Sequence, residues 1–351
     1  MTPPEAFARQ SQACAELGSP FTARLMRLAG EALAPGGAVA DRILGWPGDA
    51  GPGGDSVPLR LAGALHALVL SGRDDRLEAV YADPAAFDDG ALWEAIAGAV
   101  GRHEAEILGW LDSPPQTNEV RRSAVLIAAG HWLAARFGLP LVLSELGASA
   151  GLNLIWDRYA LDLPGASLGP SDAVLRLAPD WQGAAPPACP SRVADRAGVD
   201  LNPLDPVRDR LRVLSYIWAD QPDRLARTRA ALDEAARLCP RIDRGDAAGW
   251  LAARLGRPMP QRLHLVFHTV AWQYFPPATQ AECTRALAEA GARATLDAPL
   301  AHLGMEADVR PGSAAVTLTL WPGGESVVLG RADFHGRRVD WRAPALDGCA
   351  R

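Results

Sequence analysis

Five consecutive residues, Gly147-Ala148-Ser149-Ala150-Gly151, directly follow the apolar run Leu141-Val142-Leu143-Ser144-Glu145-Leu146, and this junction admits two chemistries. Read as Gly-x-Ser-x-Gly after a strand and before a helix, it is a nucleophile elbow. Ser149 would then be the attacking hydroxyl, with an acid and a histidine drawn from Asp246, Asp297, His302 and His335 downstream. Read as acid-x-Gly-x-Ser-x-Gly, it is the ligand-binding turn of a Rossmann-like sheet. Glu145 then ends the strand, and Gly147 and Gly151 let the backbone approach a cofactor. The two readings differ in what must come first. A hydrolase elbow follows several strands and an oxyanion loop, whereas everything upstream of Leu141 reads as helix, so context favours the second.

The spacing narrows the cofactor. Aligned on Gly147, the dinucleotide pattern G-x-G-x-x-G would need glycine where Ser149 and Leu152 stand, which disfavours a pyrophosphate. S-adenosyl-L-methionine has no phosphate and tolerates a small side chain in the turn. This reading expects a helix after Gly151 whose free N–H groups receive the methionine carboxylate, with Glu145 near the ammonium and Ser149 and Asn153 in the cofactor's surroundings. The other open readings are a binding protein for the same cofactor or a nucleotide that has lost the reaction, and a serine hydrolase using Ser149.

These residues need a scaffold. From the N-terminus to about Gly138 apolar residues recur three and four apart, as in Thr22–Leu33, Leu59–Leu70, Ala91–Leu111 and Val120–Phe137, so residues 1–138 are expected to be a helical domain or cap. The character changes at Leu139-Pro140. Short apolar runs at Leu141–Leu146, Arg196–Leu201, Leu263–Thr269, Ala292–Ala298, Ala315–Trp321 and Ser326–Gly330 alternate with helical stretches at Pro206–Trp218, Asp223–Leu238 and Ala278–Ala290. Such alternation predicts an α/β domain over 139–345 built on a Rossmann-like, mostly parallel sheet. The last two runs, parted by Pro322-Gly323-Gly324, predict an antiparallel hairpin at its edge. A parallel sheet ending in such a hairpin has the outline of the class I methyltransferase fold.

Composition excludes several classes. With 351 residues, 48% hydrophobic and 22% charged, the chain can bury a large core without staples. The net charge is −6, every basic residue other than histidine is arginine, and no dense arginine block occurs, so nothing indicates nucleic acid. Five scattered cysteines without a CxxC pair predict neither a disulfide framework nor a zinc site, and no metal is expected. The start lacks the pattern of a signal peptide and no stretch of about 18 apolar residues appears. Cytoplasmic location, no membrane and a small-molecule partner are the resulting expectations, with oligomeric state open.

Longer stretches carry a resemblance. Gln116-Thr117-Asn118-Glu119-Val120-Arg121-Arg122, the Glu145–Leu154 segment, Arg196–Asp205, Val266-Phe267-His268-Thr269, Trp321-Pro322-Gly323-Gly324 and His335-Gly336 together resemble the bacterial domain of unknown function family 2332 over nearly the whole chain. The resemblance implies a methyltransferase-like fold. Carrying that fold's roles across makes Glu145, Gly147, Ser149 and Gly151 the cofactor turn, Asp200 the ribose-binding acid and Asp246 the adenine-proximal one. Asp200 lies far beyond the roughly 20 residues usual for that acid, so either Tyr159–Pro190 is an insertion or a nearer acid such as Asp162 takes the role. Asp246 equally suits a helix N-cap. His268, at the exit of the fourth parallel strand, is the candidate general base. Asn118 and Glu119 are read as catalytic contributors, and Gln116, Arg122 and His335 as substrate contacts. The plain alternative is that Thr117 or Asn118 caps a helix with Glu119 in its first turn. His66 and most of the tryptophans are expected in the core.

Overall fold

The computed structural model describes residues 1–346 and Cys349. It divides into two compact units, Met1–Thr117 with Val207–Arg229, and Asn118–Pro206 with Ala230–Arg351. Within the first unit the expected amphipathic stretches are helices Pro20–Ala32 and Val57–Leu70, and the long stretch 91–111 is broken at His103 into Asp89–Arg102 and Glu104–Leu111. Asp220, far along the chain, joins this unit by accepting hydrogen bonds from Ser19 Oγ and from the Phe21 amide (2.9 Å) at the start of a helix. His66 is buried as expected, its Nδ1 3.2 Å from the Ser215 carbonyl and its ring stacked on Tyr81.

The second unit is a mixed α/β body. Its strands are β1 (Leu141–Leu146), β2 (Ala160–Leu163), β3 (Ala166–Leu168), β4 (Arg176–Leu177), β5 (Asp180–Gln182), β6 (Val193–Asp200), β7 (Arg241–Arg244), β8 (Leu263–Thr269), β9 (Leu300–Ala307), β10 (Ala314–Trp321), β11 (Glu325–Ala332) and β12 (Arg338–Trp341). Among the described residues nine of them form one sheet in the order β5-β12-β11-β10-β9-β8-β1-β6-β7, mostly parallel, and β3-β2-β4 form a second small sheet. The pairs from β7 to β9 are all parallel, whereas β9-β10, β10-β11 and β11-β12 are antiparallel. β1 and β8, central in the sheet, are buried at every position, their polar residues Ser144, Glu145, His264, His268 and Thr269 included. One face carries Leu146, Val199, Val266 and Leu300 against helices Ala247–Arg254 and Pro277–Arg293.

Three expectations change. The β10-β11 hairpin exists but is interior, because β12 and then β5 extend the sheet beyond it. The run Ala292–Ala298 is not a strand: the helix continues to Arg293 and the strand begins at Leu300. The helix Ser123–Phe137, apolar nearly all round and buried from Ser123 to Ala135, falls in the second unit. Cys189 and Cys349, 160 residues apart, are joined in a disulfide, a pairing that spacing could not reveal. Among the described residues no helix is long and apolar enough to cross a membrane.

Candidate functional site

The parallel strands make a topological switch between β1 and β8. From β1 the chain builds β6 and β7 on one side, then returns to build β8 and β9 on the other. Open sheets of this kind bind ligands outside the carboxyl ends at that point, and the predicted turn leaves β1 there.

Around the turn the structure collects several of the predicted residues. Asp200 ends β6, immediately beside β1, so it stands where the second parallel strand's acid was expected. The intervening segment forms β2 to β5, which accounts for its distance in sequence. Asp162 is held elsewhere, in the small sheet, by Arg176 and Ser167. Asp200 Oδ2 accepts the Ser149 amide (2.8 Å) and Oδ1 the Asn202 amide (2.7 Å). Asn118 Oδ1 accepts the Leu152 amide at 2.9 Å. Glu119 accepts the Arg121 amide and so caps the 3-10 turn Val120–Arg122. Arg122 donates from Nη1 to the Thr269 carbonyl and from Nε to the Phe334 carbonyl, both at 2.9 Å, tying that turn to the exit of β8 and to the turn carrying His335. Gln116 belongs to the first unit. Asp246 caps helix Ala247–Arg254 through Oδ1, as its capping reading expects, and takes the Thr279 hydroxyl on Oδ2.

The expected helix after Gly151 is absent. Residues 151–155 form successive turns leading to the 3-10 helix Trp156–Arg158 and then β2, so no helix N-terminus is available to an anion. The turn's amides are also engaged internally: Gly147 and Ala148 donate to the Val199 carbonyl, Ser149 to Asp200, Gly151 to the Ala148 carbonyl and Leu152 to Asn118. Both glycines have φ of 72°, where residues with a side chain are disfavoured. Their side-chain positions are occupied by protein rather than open to a ligand. A Cβ on Gly147 would stand 2.8 Å from the Ala271 Cβ, and one on Gly151 2.7 Å from Ile242 Cδ1.

With these five amides engaged, the turn leaves few backbone donors beside the acids Glu145 and Asp200. Glu145 is 1% exposed and its Oε2 has no hydrogen-bond partner. Burial, and then the neighbouring Asp200, push its carboxyl well above the usual range, opposed by the charge of Arg122. Two further buried atoms nearby in sequence lack partners: Ser149 Oγ, and Asn153 Nδ2, whose Oδ1 accepts from Ser123 Oγ at 2.7 Å. Unpartnered buried polar atoms are uncommon enough to require a cause, a ligand being one. Among the described residues no group of three or more histidine, cysteine, aspartate or glutamate side chains is arranged to hold a metal.

Ser149 adopts φ 51°, yet its hydroxyl has no hydrogen-bond partner, so no base is positioned to take its proton. Ser149→Ala is expected to leave any hydrolytic background unchanged, and an active-site-directed fluorophosphonate should not label the protein. Stoichiometric labelling lost in the variant would reverse that conclusion.

His268, the predicted base, is buried and engaged on both ring nitrogens. It is 3% exposed; Nδ1 lies 2.7 Å from Glu306 Oε1 and Nε2 lies 2.9 Å from His302 Nε2, and the ring stacks on Trp272. Sequence reading missed Glu306 and His302 as its partners. The signal was the two-residue alternation of His302, Gly304 and Glu306 along β9, which puts all three on one face of the sheet.

Residues 4–341 match the model of a family described as "Uncharacterized protein conserved in bacteria (DUF2332)". No curated protein and no solved structure matches the chain.

Proposed function

The chain belongs to that bacterial family, and from this premise we propose that its α/β unit binds S-adenosyl-L-methionine at the carboxyl ends of β1 and β8 and methylates a small-molecule acceptor. The observation that carries the reading is Glu145, a buried carboxyl with an unpartnered oxygen at the switch point. Burying such a group without a partner costs several kcal/mol, and a cationic ligand group placed against Oε2 would offset that cost. The α-ammonium of the cofactor is such a group. Asn153 Nδ2, a donor without a partner, suits the adjacent carboxylate in place of the missing helix N-terminus. A phosphate fits poorly, because five amides around the turn are already engaged and the acids Glu145 and Asp200 stand beside it.

The parallel strands with an antiparallel continuation agree with a methyltransferase-like sheet, although β9, β10 and β11 follow one another as a simple meander. When bound, the cofactor supplies an electrophilic methyl group on its sulfonium. The protein's part is to hold the amino-acid end through Glu145 and Asn153, and to orient the turn through Asp200 and Asn118. His268 is engaged on both ring nitrogens, which favours either an acceptor needing no base or a second reading in which the protein binds the cofactor without reaction.

Calorimetric titration with S-adenosylhomocysteine and S-adenosylmethionine, with ATP and NAD as controls, tests the proposal. Micromolar binding of the first two alone is the expected result; no binding by folded protein overturns it. Radiolabelled methyl transfer into a metabolite extract then separates the two readings.

A further inference from the structure

Glu306 stands at the C-terminal end of β9, one strand away from β8, and gathers the backbone that leaves β8. Its Oε1 accepts three hydrogen bonds: His268 Nδ1 at 2.7 Å, the Ala271 amide at 3.0 Å and the Trp272 amide at 3.2 Å. The segment it holds is not a regular element. Val270 has φ 52°, an unfavourable value for a β-branched residue, and donates to the Met305 carbonyl at 2.8 Å before the 3-10 turn Trp272–Tyr274. Nothing in local sequence preference would maintain that conformation, so tertiary contacts must. The same segment places Ala271 and Phe275 against the place a Gly147 side chain would occupy. His268 adds to the anchor from the side, stacked at 4.8 Å on Trp272 and backed by His302.

We infer that Glu306 is a positioning residue for the ligand site, acting through one oxygen that fastens the 270–275 segment against the glycine turn, with His268 as its support rather than as a base. The functional part of this inference rests on the reading of the site as a cofactor site; the anchoring part does not. Three donors converging on one carboxylate oxygen make the charged form the natural partner, and the net effect of His268 and the two amides holds the Glu306 carboxyl below its ordinary range despite burial.

Two measurements on the full chain test it, hydrogen exchange of the Ala271 and Trp272 amides and titration with S-adenosylhomocysteine. In Glu306→Ala both amides lose their acceptor. Their protection is expected to fall at least about tenfold, the effect of a lost bond of roughly 1.4 kcal/mol, and affinity to fall about tenfold or more. Glu306→Gln keeps an oxygen able to accept all three donors. It is expected to restore most of the protection and to bring affinity within about threefold of wild type, a rescue that loss of bulk packing would not permit. Unchanged exchange in Glu306→Ala overturns the anchor. If that variant does not fold, Glu306→Asp, which withdraws the carboxylate by one methylene while keeping its charge, must loosen the same two amides, and their unchanged protection would overturn the anchor. If wild type binds no S-adenosylhomocysteine, the proposed function fails while the exchange measurement still decides the anchor. Weakened exchange protection with unchanged affinity would overturn the positioning role alone.

Discussion

Glu145→Gln is expected to weaken S-adenosylhomocysteine binding at least about hundredfold, or roughly 2.7 kcal/mol, while making the ligand-free protein more stable at neutral pH. Both effects come from the same buried carboxyl. Its folded-state pKa lies well above the usual range because burial and Asp200 disfavour the charge. Such a group costs nothing below its unfolded value of about 4.3. As pH rises from there toward the folded value, the unfolded chain ionises first and the folded protein loses stability, and above the folded value the loss is constant. Glutamine does not ionise and escapes this loss. Chemical denaturation at pH 4, 6 and 8 should therefore find the two proteins alike at the lowest pH and the variant ahead by about 1–3 kcal/mol at the highest. An ammonium ligand reverses the preference by giving the charge a partner, which glutamine cannot match. Unimpaired binding would remove Glu145 from the site, and parallel stability at every pH would contradict its unpartnered burial.

Gly151→Ala should cost about 2–4 kcal/mol and lower Tm by roughly 5–15 °C. About 1–2 kcal/mol belongs to the left-handed backbone at φ 72°, and the remainder to the 2.7 Å approach of the new methyl to Ile242 Cδ1. Ile242 is in β7, next to β6, so the strain is transmitted into the sheet edge. Adding Ile242→Ala removes the clash but not the backbone cost, and the double variant should lose less than the sum of the singles by about 1 kcal/mol or more. Strict additivity in thermal melts would show that the contact is absent. A larger replacement at Gly151 disrupts packing rather than filling a cofactor cleft, so loss of binding there would carry no information about the ligand.

The glycine turn illustrates why the site was only half legible. Glu145, Gly147 and Gly151 could be found because a strand ending in an acid and a turn with positive φ leave local signatures that survive in one dimension. The meaning of the glycines did not survive. From sequence they suggest room for a ligand; in the structure the space beside them is taken by Ala271, Phe275 and Ile242, which arrive from β7 and from the exit of β8. Asp246 shows the same limit, since a residue after a strand and before a helix can serve as a cap or a ligand contact, and only the positions of Ala248 and Thr279 decide. His268 was singled out for its type and place, but its role depends on Glu306 and His302, more than thirty residues away.

By itself the sequence determined what depends on neighbours along the chain: apolar period separated the helical stretches from the strands β1, β8, β10 and β11, and turn-forming residues marked the hairpin between the last two. Tertiary structure alone decided what depends on partners distant in the chain. That includes the strand order with β1 beside β6 and β8, the extension of the sheet by β12 and β5, the bond between Cys189 and Cys349, and the absence of a helix after Gly151. The physical reason is that helix and strand periods arise from backbone geometry within a few residues. The pairing of a strand edge, a buried carboxylate or a thiol is settled by whichever group the fold brings within about 3 to 6 Å.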